Sequence, residues 1–241
     1  LIVLEGKIIM ITSNPFSILS ETVPAIATQS FVIVMAFLVA IGTLLDIIHK
    51  KNVKYFFENA KKAKRSAKKK LTAGDKTSVI IKTVASDILT TSELGAGKRR
   101  VAHLLGMYGT ILFWLASVIM IFCYASTDSV TPSIWPIFWH VGAIMTCLGG
   151  YWFRLFLRVY VYSEAHPLYR IITADLFVLS LLAAATFGLI WSFLQSSNIS
   201  GWDNLFLILF IISNIVLFGG VYWSKFAHMF YKPGAAIQKN L

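Results

Sequence analysis

The sequence predicts an all-α integral membrane bundle of five transmembrane helices. Three observations carry that expectation. Hydrophobic residues make up 57% of the 241 and charged residues only 14%, with a mean hydropathy of +0.71, an excess that a soluble domain does not show. Five apolar stretches reach the length needed to cross roughly 30 Å of hydrocarbon. They run from Ala25 to Ile48, Val101 to Tyr124, Ile134 to Phe156, Ile171 to Leu194 and Leu205 to Tyr222. Barrel strands alternate apolar and polar residues over about ten positions. Phe31 to Leu45 and Leu176 to Ile190 are instead apolar on every face, as helices in lipid are.

In chain order, residues 1–24 form an N-terminal outer segment and 25–48 the first transmembrane helix. Residues 49–100 form a basic cytoplasmic loop, and 101–241 a four-helix core. The chain opens at Leu1, its first apolar run, Ile8 to Ile11, is too short for a signal-peptide core, and Met10 is a candidate natural start. The first span is uninterrupted from Ala25 to Leu45. The second opens behind Arg99 and Arg100, the third behind Pro132, and the fourth behind Arg170, while Gly201 precedes the fifth.

Orientation follows from the basic residues. The loop from His49 to Arg100 holds fifteen Lys and Arg, the third-to-fourth connection holds Arg154, Arg158 and Arg170, and the C-terminal segment holds Lys225, Lys232 and Lys239. Together these are 21 of the 22, and only Lys7 lies on the other side. Short basic loops stay in the cytoplasm. The N-terminus and the segments Ala125 to Ser133 and Gln195 to Asn204 are therefore expected outside, and the C-terminus inside. The net charge of +11 is concentrated beside the membrane, so anionic headgroups, not nucleic acid, are its expected partner. The run from Lys61 to Lys70 continues a helix-compatible stretch from Val53 that includes Tyr55, Phe56 and Phe57. Such a segment suits the membrane surface, and a loop of this length also suits docking of a soluble partner.

Several chemistries are excluded. Cys123 and Cys147 sit on different spans without the spacing of a zinc or iron–sulfur site. There is no phosphate-binding glycine loop, nucleophile elbow or internal repeat. The histidines are more informative. His103 is the third residue of the second span, and the fifth span has run about two dozen residues from the outer side at His228, so both are expected near the inner surface. Imidazoles there are either interfacial or, facing each other on neighbouring helices, the two axial ligands of one b-type haem. Gly106, Gly109, Gly219 and Gly220 either pack helices or let a porphyrin approach the backbone. Arg99 and Arg100 set topology or pair with haem propionates. His140 is expected to be interfacial or to contact a quinone. His49 and His166 are expected to be solvated among basic residues, although Tyr169, Arg170 and Asp175 follow His166. An intramembrane Asp is a functional candidate because burying its charge is costly. Asp175 is therefore expected either to pair with Arg170 or to take part in proton transfer to or from a quinone.

Three blocks carry a family resemblance: Arg99 to Gly106, Ala174 to Leu182, and Ser224 to Pro233 with the run Ser-Lys-Phe-Ala-His-Met-Phe-Tyr-Lys-Pro. Over residues 98–240 the chain resembles the cytochrome b (gamma) subunit of respiratory nitrate reductase and its relatives in dissimilatory sulfur metabolism and heterodisulfide reduction. The resemblance implies that His103 and His228 ligate the haem nearer the cytoplasmic partner. That family's second haem uses one more histidine on each of the same helices, and the corresponding positions here are Phe113 and Phe210. One haem b is therefore expected. The chain is also similar to the membrane anchor of adenylylsulfate reductase in sulfur oxidisers. By that resemblance it is a multi-pass subunit of a prokaryotic cytoplasmic membrane. It would carry electrons between quinone and soluble iron–sulfur or flavin redox subunits, adenylylsulfate reductase among them, with no soluble-substrate catalytic site of its own.

Two other functions compete. In a haem-free anchor, the basic loop tethers a soluble complex and the histidines are interfacial. A small-solute transporter expects polar or broken helices at the midplane, for which Asn214, Thr146 and Gly149-Gly150 are the available features.

Overall fold

The computed structural model describes residues 11–50, 58, 73–91, 97–157, 171, 173–199 and 201–223. The described residues are helical and contain no strand. The helices are α1 (Pro15–Leu19), α2 (Ala25–Lys50), α3 (Ala73–Thr83), α4 (Lys98–Cys123), α5 (Ile134–Trp152), α6 (Leu176–Ser196) and α7 (Trp202–Gly219). α3 runs on through a π-helical turn, Val84–Leu89, α5 through another, Phe153–Leu157, and a 3-10 turn, Thr173–Asp175, leads into α6.

Four of these helices, α2, α4, α6 and α7, are long and apolar enough to cross a membrane. The chain is thus a multi-pass membrane protein by length and composition. α5 has 19 residues without a charge, but Trp135, Pro136, Trp139, His140, Tyr151 and Trp152 dilute its apolar character. α2 lies at the margin and turns Ile26, Phe37 and Ile48 outward, each at least 60% exposed, a surface that only hydrocarbon covers without cost.

Helices in lipid gain nothing from hiding apolar surface from one another, so close backbone approach and interhelical hydrogen bonds must hold them. α4 and α5 meet in this way. A Cβ added to Gly109 would lie 2.6 Å from the Thr146 amide nitrogen, one on Gly142 2.6 Å from that of Phe113, and one on Gly149 2.5 Å from the Ala102 carbonyl oxygen. The seven-residue step from Gly142 to Gly149 keeps both on one face of α5. Between them the hydroxyls of Thr110 and Thr146 come within 3.4 Å. α6 packs on α7 through Gly188 against the Phe210 ring.

The end of the bundle that holds Ala25, Cys123, Ile134, Ser196 and Trp202 is closed by α1. Asn14 caps this short helix: its Oδ1 accepts from the Phe16 and Ser17 amides, which satisfies N-terminal donors. Its Nδ2 donates to the Tyr124 carbonyl at 2.9 Å and the Thr131 hydroxyl at 3.1 Å. Gln195 Nε2 donates to the Pro15 carbonyl. Phe16 thereby enters an aromatic cluster with Trp139 and Trp191, and residues 14–19 pack as part of the bundle. At the other end, Gly42 of α2 abuts Val221, and Leu217 and Val221 are buried with Val39, Trp114, Phe177 and Leu181 around them.

The α4–α5 contact yields a direct test. Gly142→Ala puts a methyl against backbone that cannot move aside, so the helices must separate, at a cost of about 1–3 kcal/mol. Thermal unfolding in detergent should show a lowered midpoint. Gly74→Ala in α3, where an added Cβ has no neighbour within 4 Å, should show none.

Candidate functional site

His103 lies one turn into α4, half-buried. It shares a helix face with Trp114, because eleven residues make just over three whole turns. Trp114 contacts Phe218 of α7, with ring centroids 5.3 Å apart. The face of α4 that carries His103 is therefore the face turned toward α7. His228 lies outside the described residues, as do His166, Tyr169 and Arg170, and the side chain of His49 is not described.

The four glycines near these histidines divide. Gly109 is filled by α5, and Gly220 by Val216 and Leu176, whereas a Cβ on Gly106 or Gly219 would meet nothing within 4 Å. Gly106, three residues from His103, has its amide nitrogen against Gly149 of α5, while the side on which a Cβ would stand is open, so no side chain fills that point. A two-histidine site needs no third protein ligand. Among the described residues no group of three or more His, Cys, Asp or Glu is placed to hold a metal ion.

Arg99 and Arg100 are both engaged. Arg99 Nη2 donates to the Leu157 carbonyl at 3.3 Å, which ties α4 to the end of α5. Arg100 Nε donates to the Thr90 carbonyl at 2.7 Å. One bond each does not exhaust the five N–H donors of a guanidinium, so both retain capacity for an anionic group. Tyr108 Oη donates to the Leu89 carbonyl at 2.8 Å, so the π-helical turn after α3 is bound along the first turns of α4.

At the aromatic end, Phe113 is 1% exposed. Its ring is 5.2 Å from Trp139 and 6.4 Å from Phe210, and Trp191 stacks on Phe210 with an interplanar angle of 16°. Trp139 Nε1 donates to Ser117 Oγ at 2.9 Å. Phe113 and Phe210 are thus packed into one aromatic core with Trp139 and Trp191.

His140 corrects a sequence expectation. It is 2% exposed, neither interfacial nor open to a quinone. Its Nδ1 is 2.7 Å from the Pro136 carbonyl and its Nε2 2.9 Å from Ser192 Oγ. A carbonyl only accepts, so Nδ1 carries the proton, and Nε2 accepts from the serine hydroxyl in the neutral ring. The reason is local: Pro136 and His140 are one turn apart on the face of α5 that meets α6, where a histidine with two partners can be buried. The features weighed for transport are likewise internal. Asn214 Nδ2 donates to the Phe210 carbonyl, Thr146 Oγ1 to that of Gly142, and Gly149 packs on α4.

Asp175 lies 3.8 Å from Arg154 Nη2, with side chains 14% and 10% exposed. Arg154 had entered the sequence reading only as a topology charge. It closes α5 as Asp175 opens α6, and the ends of an antiparallel helix pair are neighbours. Three other residues escaped the sequence reading. Asp46 is 2% exposed, and the rule that singled out Asp175 also applies to it, since it sits within an apolar run. Tyr151 Oη lies 2.9 Å from Thr186 Oγ1, with Cys147 Sγ 3.5 Å from the same hydroxyl. Cys147, Tyr151 and Arg154 recur at helical spacing, a signal that becomes legible once α5 is paired with α6.

Comparison with protein-family models, curated proteins and solved structures returns no match to this chain. Its function must be argued from its own residues.

Removing the Ser192 hydroxyl would strand His140 Nε2 in the interior, a loss of about 1–3 kcal/mol. Ser192→Ala should lower the unfolding midpoint clearly. Ser196→Ala, one turn on, should stay within about 0.5 kcal/mol.

Proposed function

We propose that this chain is a membrane cytochrome b-type subunit that holds one haem b between His103 and His228 and carries electrons between quinone and a cytoplasmic redox enzyme. The observation that supports it most is one of register. From the Trp114–Phe218 contact, His103 lies eleven residues back along α4 and His228 ten residues onward beyond α7. The two separations in sequence are nearly equal and run toward the same end of the bundle, which supports pairing the two histidines.

Bound there, haem b supplies one-electron transfer at a potential set by its ligands and burial. The His103 and His228 imidazoles would hold the group, and Arg99 and Arg100 would offer cationic donors to its propionates. The aromatic packing of Phe113, Trp139, Trp191 and Phe210 leaves the opposite half of the bundle filled, which favours one haem over two. α5 then serves as a fifth span, with the N-terminus outside and the C-terminus in the cytoplasm, the side where basic residues collect. His166, Tyr169, Arg170 and Asp175 remain the candidates for quinone contact or proton transfer. Partners follow from the basic loop and the sequence resemblance: anionic lipid, and soluble iron–sulfur or flavin subunits, with adenylylsulfate reductase foremost. The membrane is then a prokaryotic cytoplasmic one.

The decisive test is haem content after purification in mild detergent from cells with adequate haem supply. A pyridine haemochrome assay should give one haem b per chain, lost in His103→Ala and in His228→Ala and reduced in Gly106→Leu. A well-folded preparation without haem overturns the reading and leaves a haem-free anchor for a soluble complex. Topology is tested separately with Cys123 and Cys147 replaced. A cysteine at Ser129 should react with an impermeant maleimide in intact cells, and one at Ser66 only after the membrane is opened. The reverse pattern contradicts the orientation.

A further inference from the structure

We propose that the groove between the inner halves of α5 and α6 seats a quinone headgroup, with the Tyr151 and Thr186 hydroxyls at one end and Arg154 at the other. This assignment rests on the quinone-linked reading above and gives it a place. The groove has a volume of about 420 Å³, within the range of small-molecule sites. Leu179, Leu182 and Phe187 form its apolar wall, and Tyr151, Thr186 and Arg154 bring the polar groups. A ligand pocket has this composition: mostly apolar, with a few convergent polar atoms that fix orientation.

The hydroxyl pair identifies the ligand's chemistry. Tyr151 Oη and Thr186 Oγ1 are 2.9 Å apart. Two hydroxyls carry two protons: one lies in the bond between them, and the other has only the Cys147 sulfur, a weak acceptor, 3.5 Å from Thr186 Oγ1. Tyr151 is 40% exposed on the groove side, so its hydroxyl is open to a stronger acceptor than a thiol sulfur. A carbonyl oxygen in the groove is such an acceptor.

Depth separates a quinone from a phospholipid. Thr186 lies ten residues into α6 from Leu176, roughly 15 Å along the helix, too far inward for a phosphate at the membrane surface. An acyl chain reaching that point offers methylenes and no acceptor. A quinone ring carries carbonyls on opposite edges, one for the hydroxyl pair and one toward Arg154, which Asp175 holds at 3.8 Å. Its prenyl tail would follow the apolar wall into the bilayer.

The position also suits the proposed haem. Gly149, two residues before Tyr151, packs on Ala102 and Gly106 of α4, so the groove lies level with His103 across one helix.

The experiment uses the full-length protein in phosphatidylcholine nanodiscs with a photoreactive azidoquinone as probe and haem content measured on the same sample. Label should map to peptides containing Tyr151 or Thr186 and be displaced by unlabelled decylubiquinone or a short-chain naphthoquinone. Tyr151→Phe and Thr186→Val should each weaken displacement about fivefold to tenfold, the worth of one hydrogen bond. Ala183→Trp, which fills the groove, should abolish labelling while the protein stays monodisperse. Label on other helices, or displacement by phosphatidylglycerol and not by either quinone, overturns the assignment. If haem is present and the label lies elsewhere, the groove alone is wrong. If haem is absent and the label lies in the groove, the quinone seat stands and the haem reading falls.

Discussion

In hydrocarbon, helices can be held together only by how closely their backbones approach and by the polar groups they satisfy between them. In this chain the closest approach is that of α4 and α5 through Gly109, Gly142 and Gly149, and much of the remaining arrangement follows from it. With that face of α4 taken by α5, the face bearing His103 and Trp114 turns toward α7. With that face of α5 taken by α4, the opposite one bearing Cys147, Tyr151 and Arg154 turns toward α6. One contact between glycines thus orients both the candidate haem face and the candidate quinone groove, on either side of α5.

The two halves of the bundle differ in chemistry. One end is closed by α1 and by rings of Phe16, Phe113, Trp139, Trp191 and Phe210 in mutual contact, a rigid apolar plug with His140 and Ser192 satisfied inside it. The other end carries Arg99, Arg100, Arg154, Asp175 and His103, with charges bonded to carbonyls or to each other. The proposed one-haem carrier would use this asymmetry, with its redox group at the end facing the partner and the far end stable and closed to water.

Much of the fold was legible in the sequence because apolar run length is a local property. All five apolar stretches are helical, with ends displaced by a few residues where a non-local contact or special turn decides. The expected span from Ile171 yields to a 3-10 turn at Thr173–Asp175, and the span expected to end at Tyr222 stops as α-helix at Gly219, before Gly220. α1 was not anticipated, because a five-residue helix has no periodicity to read and is held by Asn14 contacts more than a hundred residues away in sequence. The candidate site was legible only in part. His103, Arg99 and Arg100 lie together at the start of α4 as expected, but pairs such as His140–Ser192, Arg154–Asp175 and Tyr151–Thr186 depend on which helix faces meet. Apolar composition does not encode that pairing, and the small residues that set it, Gly142 and Gly149, look ordinary until α4 is placed against them.

The central claim is that the imidazoles of His103 and His228 share one iron. Near-infrared magnetic circular dichroism of the oxidised protein in nanodiscs reads axial ligation directly. The account predicts a low-spin signature of two histidines. A histidine–methionine signature, which neighbouring Met107 or Met229 would give, or a high-spin five-coordinate spectrum, would contradict it.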